Sequence, residues 1–258
     1  MNYLNACVWI TGGGSGIGAA LAHAYWRKGA KVAISGRRLE KLQATIAEHG
    51  ISSEQALAVE CDVRDAANVE RAVETIISTW GRIDIVIANA GYAVTGKFEG
   101  IASEQWQGQF DTNVMGVVHT LRSGLPHVEK VGGRLAVISS VMGLAPAFRC
   151  APYCASKHAL TGLCRSLQLE LKGRSVSLTN IMPGFVESEI RNVDNNGEIQ
   201  EKPTARAPER LVWRAEDAAR VMLKAIEKRK RESVVTGHGK VAGWIGSHIP
   251  DLMYWIQR

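Results

Sequence analysis

Short β-branched and apolar runs alternate along this chain with longer stretches in which apolar positions recur every three or four residues. The runs Ala6–Thr11, Lys31–Ser35, Ala56–Cys61, Ile83–Ala88, Arg134–Ser139, Val176–Met182 and Ser233–Thr236 predict seven strands. Between them Leu39, Leu42 and Ile46, and then Val69, Val73, Ile76 and Ile77, fall on one face of a helix. Strands that are apolar on both faces are covered from both sides, and strand-helix alternation makes a parallel sheet. The prediction is an α/β fold: a doubly wound parallel sheet of about seven strands with helices on both faces.

The alternation lapses twice. Residues Arg191–Arg210 are polar, carrying Asn192, Asn195, Asn196 and Gly197 and then Pro203 and Pro208, and they follow the sixth strand directly. An irregular excursion of that length is usually functional or mobile, and a flap is expected at about 191–210. After the seventh strand, Val241, Trp244, Ile245, Ile249, Leu252, Met253 and Ile256 recur at three- and four-residue steps. They predict an amphipathic tail over about 241–258, in two short helical pieces separated at Pro250. With Pro250 and Asp251 inside, the tail is a poor membrane span. Its stripe is expected to cover a pocket mouth, to pack on the body or on a second subunit of a homo-oligomer, a dimer being favoured, or to rest peripherally on lipid. No linker divides the sequence, so residues 1–258 read as one domain.

Composition narrows the class. Hydrophobic residues at 46% against 22% charged leave room for a sizeable core and exclude a disordered chain. Lys and Arg outnumber Asp and Glu by 31 to 25, a net charge of +6, but apart from Lys228–Arg231 the basic residues are scattered, so no nucleic-acid partner is expected. The five cysteines, Cys7, Cys61, Cys150, Cys154 and Cys164, include no C-x-x-C pair and no histidines at metal-binding spacing. That pattern predicts free thiols in a reducing compartment and no bound metal. With neither a leader-like N-terminus nor a stretch of 18 or more apolar residues, the expected location is cytoplasmic.

Two stretches carry chemistry. The first strand runs straight into Thr11-Gly12-Gly13-Gly14-Ser15-Gly16-Ile17-Gly18 and then into a helical pattern, Ala19–Lys28. A glycine-rich turn lets backbone N–H groups approach a pyrophosphate without Cβ obstruction, and the helix N-terminus adds partial positive charge. Further along, Tyr153-Cys154-Ala155-Ser156-Lys157 opens an amphipathic stretch through Leu171. A tyrosine and a lysine four residues apart share one helix face. The ammonium favours the phenolate and is expected to lower the Tyr153 pKa from its reference near ~10 toward neutrality, making it a general acid/base.

These motifs resemble those of the short-chain dehydrogenase/reductases, in their single-domain branch, from about residue 4 to residue 236. The resemblance implies a Rossmann-type fold and puts Thr11, Gly12, Gly14, Ser15, Gly16, Ile17 and Gly18 on the cofactor. The second strand ends in Ser35-Gly36-Arg37-Arg38, with no acid where an NAD enzyme holds the ribose 2′-OH. A guanidinium grips a 2′-phosphate through parallel charge-assisted hydrogen bonds, so Arg37, with Arg38 beside it, points to NADP(H). The family pattern also implies Asp62 of Asp62-Val63 on the adenine, with a helix N-cap as its competing role. It implies Asn89-Ala90-Gly91 as well, where Ala88 replaces the family's first Asn. In Pro183-Gly184-Phe185-Val186-Glu187-Ser188 the Val186 backbone and the Ser188 hydroxyl, standing for Thr, are implied to hold the nicotinamide carboxamide.

The same resemblance assigns catalysis to Asn113, Ser140, Tyr153 and Lys157. It implies that Tyr153 donates the proton, Ser140 polarises the carbonyl, Lys157 also bonds the nicotinamide ribose, and Asn113 holds a water next to Lys157. Ser139 is the competing hydroxyl. The implied function is hydride transfer between NADP(H) and a carbonyl or secondary alcohol, a fairly apolar small molecule, with Ala145, Pro146, Ala147 and Phe148 as a pocket wall or a structural turn. The alternative is a catalytically silent NADP(H)-binding scaffold or redox sensor. The family's usual V-D-G-G ending is replaced here by Gly237-His238-Gly239-Lys240, which argues against a close ketoacyl-carrier-protein reductase relative.

Overall fold

The computed structural model describes residues 3–200 and 208–256. All seven predicted strands form: β1 (Cys7–Thr11), β2 (Lys31–Gly36), β3 (Ala56–Glu60), β4 (Ile85–Ala88), β5 (Arg134–Ile138), β6 (Ser177–Met182) and β7 (Glu232–Val234). They pair in parallel as one sheet in the order β3-β2-β1-β4-β5-β6-β7. The helices are α1 (Gly16–Trp26), α2 (Leu39–Glu48), α3 (Ala66–Trp80), α4 (Ser103–Phe110), α5 (Gly116–Lys130), α6 (Ala151–Glu170), α7 (Ala215–Glu227), α8 (Gly237–His248) and α9 (Pro250–Ile256).

Successive side chains of a strand point to opposite faces, so each apolar strand feeds two cores. In β1, Val8 and Ile10 join Leu21 and Tyr25 of α1 and Met222 of α7. Cys7 and Trp9 of the same strand join Val69 of α3, Leu121 of α5 and Leu160 of α6 on the other face. This double burial is the reason the strands read as continuous apolar runs. β4 begins at Ile85, later than the pattern predicts; just before it, Asp84 takes the Cys7 N–H with its carboxylate at 2.9 Å and is gripped by Arg82.

The strand order positions the site. β2 and β3 lie to one side of β1, and β4 to β7 lie to the other. Where the order reverses, between β1 and β4, loops at the carboxyl edge diverge and leave a crevice. Between α4 and α5 the chain adds one widened turn, a π-turn at Asp111–Met115, which carries Asn113. Among the described residues no helix is long and apolar enough to cross a membrane.

Candidate active site

A cleft of about 1160 Å³ opens at that carboxyl edge. Gly12, Gly14, Ser15, Gly16, Ile17 and Gly18 form one end of it, and Arg37, Arg38, Asp62, Val63, Asn89 and Ala90 continue the wall. Ser140, Tyr153 and Lys157 lie further along, with Pro183, Gly184, Val186 and Ser188 opposite. Two predicted residues, Thr11 and Asn113, do not line it. Thr11 is turned inward, where its Oγ1 accepts the backbone N–H groups of Asn89 and Ala90 at 3.0 and 3.1 Å. Asn89 reciprocates, donating from Nδ2 to the Thr11 and Gly12 carbonyls at 2.9 and 3.0 Å. The glycine turn is thereby stitched to the end of β4. Gly18 allows α1 to sit on the turn, since a Cβ there would stand 2.2 Å from the Gly12 carbonyl oxygen.

The cations at the end of β2 have distinct partners. Arg37 donates from Nη2 to the Gly197 carbonyl at 2.9 Å. Arg38 pairs with Glu189 at 3.2 Å, and Lys41 reaches the same carboxylate at 3.5 Å. Asp62 is held by Arg64, whose side chain contacts both carboxylate oxygens at 2.6 to 3.1 Å. Burial raises the Asp62 pKa, and the Arg64 side-chain and backbone hydrogen bonds outweigh that and hold the carboxyl below its ordinary value. The helix cap is supplied instead by Asp65, which accepts from the N–H groups of Ala67 and Asn68.

The catalytic candidates converge on α6 and the end of β5. The Ser140 and Tyr153 hydroxyls are neighbours in the cleft, and Ser140 Oγ accepts the Met142 N–H at 3.1 Å. Ser139 turns away, its Oγ directed to the Lys157 carbonyl at 3.5 Å. Lys157 is buried; its Nζ donates to the Ile138 carbonyl at 3.1 Å and lies 5.5 Å from the centroid of the Tyr153 ring. Four-residue spacing does bring the pair together, but burial of the Tyr153 hydroxyl works against the expected fall in its pKa. That burial pushes it up to about 12, with the neighbouring Ser140 hydroxyl opposing. Burial likewise brings Lys157 down to about 8. Desolvation outweighs the mutual effect because the ammonium is directed to Ile138 and is itself disfavoured in the interior. Asn113 is fully buried and its amide is committed: Oδ1 accepts from Tyr92 N at 3.1 Å, and Nδ2 donates to Tyr92 O at 3.0 Å and Ser156 Oγ at 3.2 Å. It braces the loop after β4 against α6.

Three cleft residues carry no sequence signal: Tyr92 from the loop after β4, Gln105 from α4 and Ile190 from the stretch after β6. Phe185, Asn195 and Ile199, which also line the cleft, fall in the motif and the excursion already singled out. Of the anticipated wall, Ala145, Pro146 and Ala147 line the cleft, whereas Phe148 is 73% exposed. The anticipated flap is described over 192–200 and 208–210; residues 201–207 and the placement of the Arg191 side chain lie outside the described residues. Its first part is a hairpin in which Val193 pairs with Ile199 and Asn195 exchanges hydrogen bonds with the Thr95 backbone at 2.8 and 2.9 Å.

The tail breaks at Pro250, and of its apolar stripe Met253 docks while Val241, Trp244, Ile249 and Leu252 stay exposed. α8 lays Gly243 and Gly246 on Leu144 and Ala145, a close approach that small residues permit. Met253 is 8% exposed and closes the cleft with Ala242, while Val241 and Trp244 remain 60% and 57% exposed. The Ile256 side chain and residues 257–258 lie outside the described residues.

The sequence profile of the short chain dehydrogenases matches residues 6–199. The chain belongs to that family. An uncharacterized oxidoreductase of Myxococcus xanthus is 37% identical over 196 residues, 76% of this chain and 77% of the relative. The 11-beta-hydroxysteroid dehydrogenase A of Sesamum indicum is 29% identical across 97% of this chain and 74% of its own. Among solved structures, a short chain dehydrogenase/reductase from Burkholderia phymatum in complex with NAD superposes with a TM-score of 0.86 at 23% identity, covering 100% of this chain and 97% of the other. An alcohol dehydrogenase from Thermococcus sibiricus complexed with 5-hydroxy-NADP gives 0.75 at 23% identity, over 90% of this chain and 96% of the other. At that identity the structural likeness speaks for the Rossmann-type fold. As a short chain dehydrogenase, the protein is an oxidoreductase.

Proposed function

We propose that this short chain dehydrogenase transfers hydride between NADP(H) and the carbonyl carbon of a fairly apolar small molecule, or the corresponding secondary alcohol, in the cytoplasm. The observation that carries the reading is the convergence of Ser140, Tyr153 and buried Lys157 in the same cleft as the glycine turn. The residues suit the cofactor by their own chemistry. The turn offers backbone without Cβ at the positive end of α1. Arg37 gives one N–H to Gly197, and its planar fork has five, so the 2′-phosphate can be met by the others.

When bound, the reduced nicotinamide supplies the hydride. Tyr153 donates a proton from Oη to the carbonyl oxygen; a phenol pKa near 12 keeps that proton in place at neutral pH. Ser140 Oγ–H donates to the same oxygen and stabilises the charge that develops there. Lys157 would hold the nicotinamide ribose, and Asn113 sets the wall behind it through Tyr92 and Ser156. The Val186 backbone and Ser188 would take the carboxamide, and Asp62 the adenine. The lining by Val141, Met142, Ala145 and Met253 and the similarity to the sesame hydroxysteroid dehydrogenase support an apolar substrate. The exposed Val241 and Trp244 support a homo-oligomer, with a dimer favoured.

Incubating the protein with NADPH and a panel of aldehydes and ketones while following NADPH absorbance tests this reading. Consumption with at least one apolar carbonyl is expected. Tight NADPH binding with no turnover across the panel, nor with secondary alcohols and NADP, would instead favour a silent scaffold.

A further inference from the structure

The departure from the family's usual ending, Gly237-His238-Gly239, has a place in the cleft. His238 sits in the first turn of α8 and borders the cleft beside Pro183, Gly184 and Phe185. Its Nε2 lies 3.1 Å from Phe185 N and 3.2 Å from Thr236 Oγ1. A backbone N–H only donates, so Nε2 is the acceptor and the ring is the neutral tautomer protonated on Nδ1. The Thr236 hydroxyl therefore also donates to Nε2, while its oxygen accepts the Gly239 N–H at 3.2 Å. Burial holds the imidazole below its ordinary pKa, in keeping with a neutral ring. The Phe185 ring stacks on the imidazole with centroids 5.6 Å apart. Gly184 completes the joint, because a Cβ there would stand 2.3 Å from Thr236 Oγ1 and 2.4 Å from His238 Nε2. Any side chain at that position would displace His238 and Thr236, and with them the acceptor of the Phe185 N–H.

We infer that His238 is a positioning residue: its Nε2 anchors the Phe185 N–H and so holds the Pro183–Ser188 segment at the nicotinamide end of the cofactor. The inference rests on the NADP(H) reading above, which gives that segment its ligand. His238 acts through the backbone it holds and has no part in proton transfer. Its effect is expected to fall mainly on the nicotinamide half of the cofactor, since the 2′-phosphate is assigned to Arg37.

Titration of the full-length protein with NADPH and with adenosine 2′,5′-bisphosphate, which lacks the nicotinamide, separates the two halves. His238→Leu is expected to weaken NADPH about five- to tenfold, as loss of one partly buried hydrogen bond does, and to leave the bisphosphate within about twofold. His238→Gln, whose amide oxygen can take the Phe185 N–H, is expected to restore most of the NADPH affinity. Equal weakening of both ligands, or no rescue by Gln, would overturn the inference. Histidine-selective 15N NMR of the unmodified protein provides a check that needs no variant to fold: an unprotonated Nε2 on His238 supports the anchor, and a protonated Nε2 overturns it. If the unmodified protein binds neither ligand, the NADP(H) reading fails, and the NMR result still decides whether Nε2 accepts that hydrogen bond.

Discussion

The Arg37 guanidinium donates to the Gly197 carbonyl at 2.9 Å, joining residues 160 apart in the chain. That bond ties the end of β2 to the Val193–Ile199 hairpin, so one side chain borders both the proposed 2′-phosphate position and the substrate side. Its neighbours are differently placed. Arg38 and Lys41 share the Glu189 carboxylate, an anion already beside them, whereas the Arg37 bond is to a neutral carbonyl. Arg37 is therefore the guanidinium on which cofactor choice is predicted to turn.

NADPH is expected to bind at least about tenfold more tightly than NADH, the size of one charge-assisted hydrogen bond at about 1.5–3 kcal/mol. Arg37→Asp is expected to reverse the order, by removing the donor and placing a carboxylate against the phosphate. Equal affinities of the unmodified protein for the two dinucleotides would remove Arg37 from this role.

The hairpin leads to a second prediction. Asn195 clasps the Thr95 backbone with two hydrogen bonds, and Arg37 holds Gly197, so residues 191–210 are predicted to act as a flap that closes over cofactor and substrate. Limited proteolysis there is expected to slow when both ligands are present and to quicken in Asn195→Ala. Cleavage rates indifferent to ligands and to Asn195 would dismiss the flap.

The shifted pKa values predict opposite pH behaviour in the two directions of reaction. Reduction uses the Tyr153 phenol, which keeps its proton far above neutrality, and the Lys157 ammonium, which is lost as pH rises through about 8. Carbonyl reduction is thus expected to be level below pH 8 and to decline above it. Alcohol oxidation needs the phenolate, whose fraction grows as pH rises toward the Tyr153 pKa, so its optimum is expected at higher pH. Rate profiles in both directions check this, and coincident optima would contradict the assignment.

Deleting residues 241–258 is expected to shift the protein toward monomer or aggregates in a solution-mass measurement, because it removes the exposed Val241 and Trp244. It also removes Met253 from the cleft wall, so turnover is expected to fall. An unchanged oligomer that had lost co-sedimentation with liposomes would assign the tail to a lipid surface instead.

How much of this was legible in the sequence follows from which forces are local. β1 reads as a strand because both of its faces are buried, Val8 and Ile10 on one and Cys7 and Trp9 on the other, so its apolar run is unbroken. The Gly12–Gly18 turn reads as a phosphate site because its requirements, a strand before it and a helix after it, are adjacent in the chain. Residue spacing also brings Tyr153 near Lys157. It does not say where the Lys157 Nζ bonds, and the Ile138 carbonyl 19 residues away decides that. Asn113 is similar, since its partner Ser156 is 43 residues distant. In the tail, periodicity registered the large side chains, while docking was decided by Gly243 and Gly246, whose small size lets α8 approach Leu144 and Ala145. Complementarity of that kind belongs to two surfaces and is written in neither alone.

The central claim is that Tyr153 delivers the proton in a reaction the cofactor makes possible. Single-turnover oxidation of bound NADPH by a carbonyl that the unmodified protein reduces, compared between that protein and Tyr153→Phe, tests it most directly when NADPH affinity is measured alongside. The Phe variant is expected to bind NADPH within about twofold of the unmodified protein and to lose at least about two orders of magnitude in rate, the usual worth of a positioned general acid. A Tyr153→Phe protein that oxidises NADPH at the unmodified rate would contradict it.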